Sequence, residues 1–425
     1  MHILVHDFAG HPFQVQLSRE LAASGHSVSH LYLQDLPGPK GPLQRSPQDP
    51  RSFQPVPVSL GAPLQKYSML KRHFAHRRYA RELAAFIERY RPDVVLSANT
   101  PIDVQHCVLA ECRRKRIAFV HWMQDLYCMA VRSVLAKKVG RFGAPLAWHY
   151  DSLERQVCER SDAVVFITSD FLSATSAMGF RPARNYVVEN WAPLDELPPA
   201  PKRNAWSARH NLSDKLVFLY SGTLGLKHKP ELLYRLAVAL EDRRDAVVVV
   251  VSEGLGRDWL GRQQQRSPRK NLVLMDFQPY AAMREVLGTA DILLAVIEKE
   301  AGVFAVPSKV LSYLCAGRPV LLAAPGTNLA ARTVLRANAG FTVDPDDSDG
   351  FAAAARGLAV DPEMRRGMAE NARQYAIAAF DIHAIAARFE SILREAVTLE
   401  LKRNGAAELP APHKYLHEHN HHHAR

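Results

Sequence analysis

The chain has 425 residues, 47% of them hydrophobic, enough for two or three domains with real cores. No apolar run reaches the ~20 residues of a membrane span, the N-terminus lacks a charged-then-apolar leader, and the five scattered cysteines fit reduced thiols, so a cytoplasmic protein is expected. The net charge of +11 is concentrated in residues 60–141, which hold 16 Lys/Arg against 6 Asp/Glu, a face suited to an anionic substrate, an anionic membrane surface or nucleic acid.

Ile3-Leu4-Val5 reads as a strand, Ala9-Gly10-His11-Pro12 as a loop, Phe13 to Ala23 as a helix and Val28 to Leu33 as a second strand. This Rossmann-like opening lacks the three-glycine dinucleotide fingerprint, which argues against a nicotinamide cofactor. His6, Asp7 and His11 fall at the carboxyl end of the first strand, where sites in α/β sheets occur, although ordinary loop chemistry accounts for them too. Residues 34–64 read as a long irregular connection. Ser68 to Tyr90 reads as a helix with Leu83, Phe86, Ile87 and Tyr90 buried. Its first half crowds Lys66, Lys71, Arg72, Arg77, Arg78 and Arg81 among Tyr67, Met69, Leu70 and Phe74, which suits a solvated face or the interface of an anionic bilayer.

Ile117 to His121 is a further strand, and Asp125 follows it on the same side of the sheet as His11. A carboxylate there can take a proton from a sugar hydroxyl or stabilise a cationic transition state; the plain alternative is an N-cap. Residues 128–160 look helical, Asp162–Thr168 and Tyr186–Val188 read as strands, and the prolines of 197–201 mark a linker.

The pattern then restarts. Leu216 to Tyr220 is a strand, Ser221 to Lys229 a turn holding Gly222, Lys227 and Lys229, and Pro230 to Leu240 a helix. Such a turn can direct N–H groups and ammonium charges at a diphosphate, although it is not a Walker loop, and solvent-facing lysines are the alternative. Val247–Val251 runs into Glu253 and Gly254, and Leu272–Met275 leads to Phe277. After the strand Asp291–Val296, Pro307 and Ser308 suit the start of a helix carrying Lys309, which Gly317 closes before Val320–Ala323. The last helix, about His383 to Leu401, has Ile385, Phe389, Ile392 and Leu393 as its apolar stripe. Cys107 and Cys112 lack a second pair, and the histidine-rich tail from His417 is terminal, so no metal site is assigned.

Taken together, QDLY with Asp125, VVENWAP, YSGTLGLKHKPELL and the block from VPSKVLSYLCAGRPV to GFTVDPDD resemble the family 4 retaining glycosyltransferases of GT-B fold, nearest to the bacterial colanic-acid and O-antigen type. The resemblance covers nearly the whole chain. It implies an α/β protein of two Rossmann-like domains facing a central cleft, an acceptor domain at 1–198 and a nucleotide-sugar domain at 199–380. It also implies a helix at 381–402 crossing back, which leaves 403–425 as a tail. By resemblance the donor is a nucleotide sugar and the acceptor a glycan or lipid-linked sugar, often at the membrane, with no metal or other cofactor. Asp125, His11, Lys227 and Lys309 are then the catalytic candidates. Donor contacts are expected from Gly10, Gly222, Thr223, Lys227, Lys229, Glu253, Gly254, Phe277, Pro307, Ser308, Lys309 and Ser312. Two departures stand out: Phe304 and Ser312 occupy the places of the family's two glutamates, with Glu298 and Glu300 shortly before, and Thr223 replaces the usual arginine of the phosphate turn. They motivate the alternative of an inactive nucleotide-sugar-binding partner. A same-fold epimerase is a further alternative, and nucleic-acid binding has no motif to support it.

Overall fold

The short apolar runs, bounded by amphipathic helices, fold as two all-parallel sheets in a computed structural model that describes residues 1–36, 40–61, 69–225 and 227–405, apart from the side chains of 69–71, 137–139 and 141. Lys66, Tyr67, the side chains of Met69, Leu70, Lys71, Lys137, Lys138 and Arg141, and the histidine-rich tail lie outside the described residues.

The first sheet comprises β1 (His2–Asp7), β2 (Ser27–Leu33), β3 (Phe53–Val58), β4 (Val94–Ala98), β5 (Ala118–Met123), β6 (Ala163–Phe166) and β7 (Asn185–Val187), in the order β3-β2-β1-β4-β5-β6-β7. The second comprises β8 (Leu216–Ser221), β9 (Ala246–Val251), β10 (Leu272–Met275), β11 (Ile292–Val296), β12 (Val320–Ala323) and β13 (Gly340–Val343), in the order β10-β9-β8-β11-β12-β13. Helices cover both faces, so the central strands are apolar throughout; β9 reads AVVVVV and is fully buried. Each sheet reverses its strand order once, beside β1 and beside β8. The crevice outside the carboxyl ends at such a reversal is where ligands of open α/β sheets sit.

Three local expectations change. The stretch 34–64 supplies β3, whose Pro55 and Pro57 are tolerated because this edge strand pairs with β2 alone. The helical region 128–160 is two helices, Tyr127–Val139 and Ala144–Arg160, separated by a 3₁₀ turn in which Gly140 has φ 56°. In the helix Met69–Tyr90, Tyr90 is exposed and stacks on Phe86 with centroids 4.3 Å apart, while Tyr79 is fully buried.

The helix Ile382–Arg403 packs against β5 and the helix Pro12–Ala23 of the first half. Its Phe389 ring lies 4.6 Å from Trp122, which stacks on Trp191 at 5.8 Å; Phe13 meets both indoles edge-on at 5.6 and 5.3 Å. Arg113 bridges Glu400 at 2.7 Å and Asp162 at 3.1 Å, and Arg403 reaches Asp162 at 2.7 Å, so a mostly buried ion network ties the C-terminal turn to β6. Phe13 and Trp191 also line the cleft described next, so this helix supports one wall of it.

Candidate active site

Between the carboxyl ends of the two sheets lies a cleft of about 430 Å³. The second-half wall is built on two linked elements. Tyr313, buried in the helix Lys309–Cys315, accepts from the Ser221 N–H at 3.1 Å, and its hydroxyl lies 3.1 Å from the Ser221 and Leu294 carbonyls. That pins the helix to β8 and β11 and sets Lys309 beside the turn after β8. Lys309 lies over the Tyr220 ring, its Nζ 4.8 Å from the centroid. A Cβ on Gly222, which has φ 135°, would stand 2.9 Å from Lys309 Cε, so the glycine is needed both for its backbone angle and to let the lysine pass. Burial and then the nearby Lys227 charge pull the Lys309 ammonium down to about 7.

Lys227 reaches across to the first half, where its Nζ is 3.4 Å from both oxygens of Asp125. Asp125 makes no capping bond; the first N–H groups of the helix Tyr127–Val139 go instead to buried Glu154, from Tyr127 at 2.9 Å and Cys128 at 2.7 Å. Asp125 is therefore left to face Lys227. A backbone bond from the Leu126 N–H to the Phe304 carbonyl at 3.0 Å brings the same loop against the second half.

His11 lines the cleft from the β1 side, with its ring held by Asp7 at 3.1 Å. Gly10 lies just behind it with φ 73°, where a Cβ would strike Leu43. Thr223, Phe277, Pro307, Ser308 and Ser312 all line the cleft. Ser308 makes no side-chain cap. Glu253 and Gly254 act from behind: the Glu253 carbonyl accepts from the Leu224 N–H at 2.9 Å, and a Cβ on Gly254 would come within 2.8 Å of the Leu224 carbonyl. Lys229 is not brought to the cleft; its Nζ pairs with Asp346 at 2.6 Å. The turn bends after Lys227, so two lysines separated by one residue in the motif point apart.

Sequence reasoning missed His228, Trp191, Gln278 and Tyr280, which also line the cleft. His228 carried a signal, since it sits between the two lysines of the turn. Its Nδ1 accepts from the Gly225 N–H at 3.0 Å, and burial, then Lys309 and Lys227, hold it well below the ordinary histidine range. Tyr280 donates to Glu196 at 2.6 Å across the linker, and burial raises the Glu196 carboxyl. Neither pairing has a local sequence cue.

Two facing parallel sheets with a cationic wall opposite a carboxylate and a histidine define a GT-B type transferase. The family model "Glycosyl transferase 4-like domain" matches residues 11–191, and "Glycosyl transferases group 1" matches residues 202–375. Sucrose-phosphate synthase from Thermosynechococcus elongatus superposes with a TM-score of 0.69 at 16% identity, covering 94% of this chain and 100% of that one. Anabaena HepE, solved with UDP-glucose, gives 0.65 at 15% identity over 93% of this chain and 99% of that one. WaaG, a glycosyltransferase of lipopolysaccharide biosynthesis, gives 0.62 at 16% over 92% and 99%. No curated protein sequence matches the chain. The chain belongs to the family 4 GT-B glycosyltransferases, and it is a transferase.

Proposed function

We propose that this enzyme moves a sugar from a nucleotide-diphosphate sugar to a glycan or lipid-linked sugar acceptor in polysaccharide biosynthesis, with retention at the anomeric carbon. The observation that carries the reading is the Lys227–Asp125 contact across the cleft with Lys309 beside it. The sugar C1–O bond to the diphosphate breaks, and the two ammonium groups stabilise the charge left on that oxygen. A new C1–O bond forms to the acceptor hydroxyl, whose proton leaves to Asp125, to His11 or to the departing phosphate oxygen. The cationic side chains meet the diphosphate charge, so no metal is invoked. HepE, solved with UDP and glucose, supports a nucleotide-sugar donor by analogy.

The acceptor side is read from the first half. Phe74, Phe142 and Trp148 are exposed by 67%, 83% and 72%, and Arg77, Arg78 and Arg81 are exposed along the helix of Phe74. Aromatic side chains among cations suit the headgroup region of an anionic bilayer, which supports a peripheral place on the inner membrane face. No helix among the described residues is long and apolar enough to cross a membrane. Flotation with anionic vesicles at low salt tests this part; a protein that stays at the bottom of the gradient ends it.

A calorimetric panel of UDP, GDP, ADP and their sugars tests the donor, and the anomeric configuration of the product, read by proton NMR, tests retention. Ser312, where the family places a glutamate, favours one second reading, an inactive nucleotide-sugar-binding subunit. Binding without release of nucleotide in the presence of a membrane acceptor fraction would select it.

A further inference from the structure

One buried carboxylate organises the loop that carries His11. Asp7 ends β1 with no exposure; its Oδ1 accepts from the Ala9 N–H at 3.1 Å and meets His11 Nδ1 at 3.1 Å, while Oδ2 accepts from the His11 backbone N–H. His30 Nε2 lies 3.9 Å from Asp7, and its Nδ1 lies 2.8 Å from the Ser18 hydroxyl. His6 and Tyr79, both buried, are the other titratable groups about this carboxylate. Burial raises the Asp7 carboxyl, but the contacts from His11 and then His30 outweigh it, and the net direction is down.

An ionised carboxylate only accepts hydrogen bonds, so whenever the His11 ring carries a single proton, the contact with Asp7 places it on Nδ1. Nε2 is then a bare lone pair on a side chain 35% exposed that lines the cleft. His228, on the other wall, is set the opposite way. A backbone N–H can only donate, so the Gly225 N–H fixes its Nδ1 as acceptor and leaves the proton on Nε2.

We propose that Asp7 is a positioning residue that locks His11 as a hydrogen-bond acceptor for a sugar hydroxyl in the cleft, opposite a His228 locked as a donor toward the phosphates. This rests on the nucleotide-sugar reading. Nothing in the loop's sequence separates this role from that of a turn-forming aspartate; the three donors converging on Asp7 do.

Long-range ¹H–¹⁵N spectra of histidine-labelled full-length protein read the tautomers directly. The expected result is Nδ1–H for His11 and Nε2–H for His228 in the wild type, with Asp7→Asn moving the His11 proton to Nε2. Because Asp7→Asn can disturb folding, two variants of His11 carry the functional arm. Glutamine places an oxygen acceptor near the Nε2 position and asparagine near Nδ1. His11→Gln should therefore retain about 10-fold or more activity over His11→Asn, the worth of one hydrogen bond to a well-placed partner. UDP affinity should stay within about 2-fold in both, since the ring does not hold the diphosphate.

Two arms locate the hydroxyl. A fall in the ratio of UDP-glucose to UDP affinity places it on the donor sugar. An unchanged ratio with slower UDP release from saturating UDP-glucose places it on the acceptor. An Nε2–H signal for His11 in the wild type, or equal behaviour of the glutamine and asparagine variants, overturns the proposal. If the wild type binds none of the UDP, GDP and ADP sugars, the donor reading fails instead, and the tautomer assignment is judged on the nitrogen spectrum alone.

Discussion

Nucleotide-sugar binding should draw a proton into the cleft, because Lys309 is held at about 7 in the free protein. The lysine shares its wall with Lys227, and a bound diphosphate brings negative charge to both. The charged form is then strongly preferred. With the free value at about 7 and the bound lysine fully charged, uptake is roughly half a proton at pH 7 and about 0.9 at pH 8. The sign follows from the direction of the shift: below pH 7 the lysine is already charged and binding is at full strength, while above pH 7 affinity declines. Between pH 6 and pH 8 the loss should be about 10-fold, close to 1.4 kcal/mol. UDP-glucose is the ligand of choice, since its diphosphate is esterified at both ends and does not titrate here. Calorimetry at pH 8 in buffers of low and high ionisation enthalpy measures the uptake. Less than about 0.2 proton in the wild type, or the same uptake in Lys309→Met, would refute the reasoning.

Other outcomes follow from the same geometry. Lys227→Ala should weaken UDP binding about 10- to 100-fold by calorimetry, the worth of a charge-assisted hydrogen bond to phosphate. Asp125→Asn frees Lys227 from its partner, so UDP affinity should hold or rise while steady-state turnover falls about 100-fold or more. Gly222→Ala must strain a φ of 135° and push Lys309 Cε away; donor affinity should drop about 10-fold and the urea midpoint should fall, at a cost of about 1–3 kcal/mol. Glu400→Ala leaves Arg113 and Arg403 without one of their shared partners, and urea unfolding should show a loss of about 2–4 kcal/mol with donor affinity kept.

The fold was legible because its signals are local. Apolar runs such as Val247–Val251 and Ile292–Leu294 have no stable place outside a sheet covered on both faces, and their alternation with helices leaves little but parallel order. Parts of the site were legible for the same reason, since Gly222, Lys309 and Asp125 all follow strand ends. Pairing was not. Lys227 and Lys229 look equivalent along the chain, yet one faces Asp125 and the other Asp346. Glu154 takes the capping role that Asp125 was equally placed to fill, and its helix begins at Ala144, well along the chain from the cap it supplies.

Composition and periodicity determined that this chain forms two Rossmann-like halves and that cations and a carboxylate sit at strand ends. Which side chains meet was decided by how the halves close on one another. Lys227 bridges to Asp125 and Phe389 is buried on Trp122 because separate elements approach to within a few ångströms. Electrostatic and hydrogen-bond energies depend on those distances, and spacing along the chain does not encode them.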